Sequence, residues 1–213
     1  MVALIHATPA AMAPARGALL DRFPGATLWN LLDDRLITEA EQAGGLTDPL
    51  RRRMEHLIDH AAAGGADAVL LTCSMYGSVV QDSPADWTIP VLGSDDALFA
   101  RVVELAPGRI AVLSPNPTAV RDTNTRLGEY LDTQGLTGAT VTGTVVNPGQ
   151  GPADLEHAVT TAAQAAAADA DLIVIGQFSL SPAVAAAAAA VSIPVLSPPH
   201  LAAEAIAVQL DRR

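Results

Sequence analysis

Asp67-Ala-Val-Leu-Leu-Thr-Cys73-Ser74 decides the reading of this chain, because a second copy follows at Asp171-Leu-Ile-Val-Ile-Gly-Gln177-Phe178-Ser179. In each copy an Asp opens an apolar run, and Cys73 or Gln177 stands six residues on. An Ile-Pro-Val-Leu run then begins sixteen residues further along, at Ile89 and at Ile193. The chain therefore reads as two copies of one unit. One copy places a thiol at a strand end, and the other places an amide there.

Working outward, short apolar runs alternate with helix-like segments. The strand candidates are Val2–His6, Thr27–Leu32, Ala68–Cys73 and Pro90–Leu92, then Arg109–Ser114, Thr140–Val146, Leu172–Gln177 and Pro194–Leu196. Near-continuous apolar runs of this length suit a parallel sheet buried on both faces. Helical segments between them imply an α/β fold with two four-stranded units. The boundary is expected at Pro107-Gly108, giving halves 1–107 and 108–213, with the last helix able to return to the first half.

Composition narrows the function. The chain has 213 residues, 50% of them apolar, enough for a large core. The formal charge of −11 argues against nucleic acid as a partner. The start, Met-Val-Ala-Leu-Ile-His, lacks the basic region of a signal peptide, and no apolar stretch has membrane-span length, so the protein is expected in the cytoplasm. All twelve Lys or Arg residues are Arg, which removes lysine Schiff-base chemistry. Cys73 is the only cysteine, so an internal disulfide is impossible.

In an open parallel sheet, ligands bind beyond the carboxyl ends of the strands. The residues there are nearly all small, polar and uncharged: His6 to Pro9, Asn30, Thr72 to Ser74, Ser94 to Asp96, Ser114 to Thr118, Asn147 to Gly149, Gln177 to Ser179 and Ser197 to His200. Such a set suits a small carboxylate. Each member also has a plain structural reading. Cys73 could be a small buried hydrophobe, His6 a satisfied core histidine, and Thr8, Ser74 and Thr118 helix caps. His56 and His60 have metal-compatible spacing but lack a third ligand, so a solvated face is the better reading and no metal is expected. Arg51-Arg52-Arg53 reads as a solvated turn or an oligomer contact, and Asp33-Asp34 as the cap of the next helix.

With its two similar halves, Leu71-Thr72-Cys73-Ser74 and the partner Gly176-Gln177-Phe178-Ser179, the chain resembles the aspartate/glutamate racemase superfamily. That group includes hydantoin racemases, maleate isomerases and arylmalonate decarboxylases. Thr8-Pro9 and Asn116-Pro-Thr118 resemble its substrate-binding turns. The resemblance implies two Rossmann-like halves related by a pseudo-twofold, with an active site in the cleft between them. It also implies a cofactor-independent isomerase, racemase or decarboxylase, and a homodimer. Cys73 and Gln177 would then be catalytic, and Thr8, Ser74, Asn116, Thr118, Ser179 and His6 would bind the substrate. Family racemases use two thiols, one removing a proton and one delivering it. Gln177 cannot carry a proton near neutral pH, so one-cysteine chemistry at the carbon beside a carboxylate is the reading to test. Loss of the second thiol also suits the alternative, a racemase-like protein that binds a small carboxylate without turning it over.

Overall fold

The computed structural model describes residues 1–82 and 87–211. The chain runs β1 (Val2–His6), α1 (Met12–Arg22), β2 (Leu28–Leu32), α2 (Arg35–Ala43), α3 (Asp48–Ala63), β3 (Ala68–Leu71), α4 (Gly77–Asp82) and β4 (Val91–Leu92). It continues with α5 (Asp96–Leu105), β5 (Arg109–Ser114), α6 (Pro117–Thr133), β6 (Thr140–Val145), α7 (Pro152–Ala166), β7 (Leu172–Ile175), α8 (Val184–Ala190), β8 (Val195–Leu196) and α9 (Pro198–Asp211). Two compact units result. One holds Met1–Asp96 and the chain from Pro199 onward; the other holds Ala97–Pro198.

Each unit contains a four-stranded parallel sheet, ordered β2-β1-β3-β4 in the first and β6-β5-β7-β8 in the second. The registers correspond. Val2 lies opposite Ala68 and Ile5 opposite Leu71, just as Ile110 lies opposite Leu172 and Leu113 opposite Ile175. His6 and Thr72 thus hold the places that Ser114 and Gly176 hold in the second unit.

The central strands are almost wholly apolar and fully buried, as expected of strands covered on both faces. In the first unit, Met54 and Ile58 of α3 pack with Ile5 and Leu71. In the second, Val159 and Ala163 of α7 pack with Leu113 and Ile175. The small side chains of α7 and α8 limit the area each residue removes from water, so close approach of backbones must supply much of the packing.

The repeated Asp closes the amino end of each sheet. The Asp67 amide donates to the Met1 carbonyl at 2.8 Å, and its carboxylate pairs with the Met1 ammonium. Asp171 repeats this against Arg109, its amide donating to the Arg109 carbonyl at 2.8 Å and its carboxylate accepting from the Arg109 amide at 2.9 Å and guanidinium at 2.7 Å.

α2 is stopped by Gly44 in the left-handed conformation, φ 76°. Gly143, in the edge strand β6, has no room for a side chain. A Cβ there would lie 2.3 Å from Val120 Cγ1 and 2.7 Å from Asn124 Nδ2, both on α6. Among the described residues, no helix is long and apolar enough to cross a membrane.

Candidate active site

The strand-end residues of the first unit form a hydrogen-bonded layer. His6 ends β1 and is fully buried. Its Nδ1 lies 2.8 Å from Thr72 Oγ1, and its Nε2 lies 3.0 Å from Asn30 Oδ1 on β2. The Thr72 hydroxyl also lies 3.2 Å from the Ile5 carbonyl. Burial holds the imidazole below its ordinary pKa, opposed by the hydrogen bond with Asn30. His6 is therefore largely neutral at neutral pH.

The chain leaves β3 through Thr72 and reaches Cys73 in extended backbone, φ −114° and ψ 118°. Cys73 heads a single 3-10 turn over Ser74–Tyr76, closed by the Tyr76 amide donating to the Cys73 carbonyl at 3.1 Å. The thiol residue is 5% exposed and Ser74 is 3% exposed, so both lie at the margin of the packed interior. Tyr76 anchors the turn from below. Its ring is fully buried, and its hydroxyl donates to the Leu36 carbonyl in α2 at 3.0 Å. Burial, reinforced by neighbouring Cys73, raises the Tyr76 hydroxyl above its ordinary range and keeps it neutral.

Thr8 follows β1, half-buried, and precedes a 3-10 turn over Pro9–Ala11 without a side-chain capping bond. Beyond β4, Ser94 donates to the buried Asp95 carboxylate at 2.9 Å, and the Gly93 amide donates to Asp96 at 2.7 Å.

Arg53 is not part of a solvated turn. It grips Asp33 with contacts of 2.6 and 2.7 Å and lies 3.3 Å from Glu39, tying α3 to the start of α2. Asp33 thus serves as an ion-pair partner and also accepts at Oδ1 from the Arg35 amide at the start of α2, 3.3 Å away, while Asp34 stands at the cap position without a side-chain capping bond. Arg51 also turns inward, donating to the Ser78 carbonyl at 3.3 Å. His60 packs edge-on against Trp29, with ring centroids 5.2 Å apart.

In the second unit Gln177 is the counterpart of Cys73, with extended backbone and a 3-10 turn over Phe178–Ala183 behind it. Gln177 and Ser179 are half-buried. Asn116 caps α6, its Oδ1 accepting from the Ala119 amide at 2.8 Å. Thr118 accepts from Arg121 at 3.2 Å. The expected residues therefore fall in two sets, Thr8, Cys73, Ser74 and His6 in one unit, and Asn116, Thr118, Gln177 and Ser179 in the other. Asn30, Thr72 and Tyr76 join the first set through contacts that a linear pattern does not pair.

A family profile described as Asp/Glu/Hydantoin racemase matches residues 15–206. No protein of curated function matches by sequence. Among solved structures, a glutamate racemase from Bacillus anthracis superposes with a TM-score of 0.73 at 11% identity, over 100% of this chain and 82% of that one. An aspartate racemase homologue from Pyrococcus horikoshii gives a TM-score of 0.69 at 11% identity, over 99% and 98%. An arylmalonate decarboxylase gives 0.57 at 18% identity, over 99% and 92%. At these identities the superpositions establish the fold, and the profile match across most of the length establishes descent. The chain belongs to the Asp/Glu/hydantoin racemase family.

Proposed function

We propose that this protein is a cofactor-independent isomerase, racemase or decarboxylase-type enzyme that uses Cys73 to transfer a proton at the carbon adjacent to a carboxylate of a small acid. The carrying observation is the position of the only cysteine, in a turn directly after the central strand β3 and anchored from below by Tyr76. That is where an α/β sheet presents its ligands.

The chemistry needs one proton carrier and a set of donors. In an isomerisation, the Cys73 thiolate takes the proton from the α-carbon, and the electron pair moves into the carboxylate as an enediolate. The thiol then returns a proton to that carbon. In a decarboxylation, carbon dioxide departs first and the thiol protonates the enediolate left behind. Thr8 and Ser74 are the donors this reading places on the carboxylate, as an oxyanion hole would. Gln177 serves as a neutral hydrogen-bonding contact.

A second reading keeps the acid and drops the turnover. Gln177 in place of a second thiol favours it, as does the 5% exposure of Cys73. Proton NMR in deuterium oxide separates the two, with a panel of small amino, hydroxy, unsaturated and substituted-malonic acids and Cys73→Ser alongside. Cys73-dependent deuterium incorporation, or product, supports the enzyme. Ligand-induced shifts without exchange, or exchange retained in Cys73→Ser, rule it out.

A further inference from the structure

Of the strands at the edges of the two sheets, β6 has the least protection against pairing with another chain. β4 and β8 are two residues long. β2 runs into Asp33-Asp34-Arg35, where charge blunts the edge. β6 is six residues long, Thr-Val-Thr-Gly-Thr-Val, with no charge and no proline, and all of it except Val141 is exposed.

The backbone of β6 is set for a second neighbour. The Thr140 and Val146 amides donate to the Gly108 and Ser114 carbonyls at 2.9 and 2.8 Å. In a parallel ladder, alternate residues turn both backbone groups toward the adjoining strand. Thr140, Thr142 and Thr144 therefore face β5, while Val141, Gly143 and Val145 direct N–H and C=O outward, on the side where β6 ends the sheet. Side chains alternate as well. A Cβ on Gly143 would meet Val120 and Asn124 of α6, so Val141 and Val145 lie on the α6 face and the threonines on the other. Val145 is 49% exposed, the most exposed large apolar side chain among the described residues.

Charge and symmetry identify the occupant. Residues 133–153 include no Asp, Glu, Lys, Arg or His. Two chains of formal charge −11 repel each other and meet at least cost where neither carries charge. The outward residues are also symmetric about Gly143, so a second copy running antiparallel matches this edge with itself. Val141 then pairs with the partner's Val145, and Gly143 with the partner's Gly143, each pair exchanging two main-chain hydrogen bonds. Valine covers the exposed Val145. On the opposite face Thr142 meets the partner's Thr144, a favourable cross-strand pair.

We propose that β6 is the contact between two copies of this chain, paired antiparallel about a twofold at Gly143 so that their four-stranded sheets join into one. The pairing is independent of the chemistry at Cys73.

Light scattering of the purified chain is expected to give twice the chain mass. Val145→Lys puts a charge into the apolar row at both ends of the contact and weakens association about tenfold or more. Disulfide trapping reads the register. In a Cys73→Ser background, Thr142→Cys and Thr144→Cys are prepared separately, then mixed, allowed to exchange and oxidised. Positions 142 and 144 of opposite copies stand with Cα atoms about 4.5 Å apart, within disulfide reach, whereas two copies of either position lie beyond about 7 Å. The mixture gives a covalent dimer on a nonreducing gel, and neither variant alone does. A monomeric wild type overturns the proposal, and is the result expected if β6 instead receives a strand from a different protein. A dimer that keeps its affinity in Val145→Lys overturns it too, as does a mixture that crosslinks no more than the single variants. Should Val145→Lys fail to fold, the trapping experiment decides alone.

Discussion

Tyr76→Phe tests how the turn carrying Cys73 is held. The ring is fully buried, and its hydroxyl donates to the Leu36 carbonyl at 3.0 Å. Phe keeps the ring and deletes one neutral hydrogen bond, a net loss of about 0.5–1.5 kcal/mol. Leu36 lies in the first turn of α2, where its carbonyl also serves the helical ladder, so the acceptor is not stranded. The expected loss is therefore about 1 kcal/mol, or a fall in Tm of roughly 2–4 °C for a chain of this size. The pH dependence sharpens the test. Burial and then the nearby Cys73 raise the Tyr76 hydroxyl above its ordinary value of 10.0, while Arg53 opposes them. The folded protein thus keeps that proton more tightly than the unfolded chain. The contribution is complete below pH 10 and is lost as pH rises past 10 toward the folded value. Phe has no such proton, so the variant should be the weaker protein at neutral pH and close the gap in alkali. Urea unfolding at neutral pH and in steps through pH 10 measures both effects. No loss at neutral pH, or a gap that stays constant with pH, refutes the reasoning.

Gly143→Ala places a methyl 2.3 Å from Val120 Cγ1 and should cost about 1–3 kcal/mol by overpacking, recovered in part when Val120 is also made Ala; urea unfolding of the pair checks it. Gln177→Cys supplies the second thiol of a two-base pattern. On any acid that exchanges its α-proton it should scramble configuration, read by chiral chromatography, whereas unchanged stereochemistry denies Gln177 a place beside the substrate.

The strands were the most legible part of the sequence. Val2–His6 and Arg109–Ser114 fall as β1 and β5 with the bounds their apolar runs indicate, because a strand buried on both faces has little other composition available. The apolar run continues to Cys73, but β3 stops at Leu71. Thr72 still donates its amide to the Ile5 carbonyl, while Cys73 begins the turn. The helical segment after β7 begins at Phe178 as a 3-10 stretch and turns α-helical only at Val184. Pairings across strands were not legible. His6 with Asn30 is 24 residues apart and His6 with Thr72 is 66 apart, and only the sheet register makes them neighbours. Arg53 misled for the same reason. A run of three arginines has the pattern of a solvated face, and nothing local reveals Asp33 waiting 20 residues upstream.

The Asp67 and Asp171 closures have a practical corollary. Both units fasten the amino ends of their sheets with the same residue, yet hold unrelated residues at the opposite tips. The fastening and the divergent residues therefore occupy opposite ends of the same strands. A substitution at His6, Thr72 or Cys73 therefore leaves the Asp67 fastening untouched, and one at Ser114, Gly176 or Gln177 leaves that of Asp171 untouched.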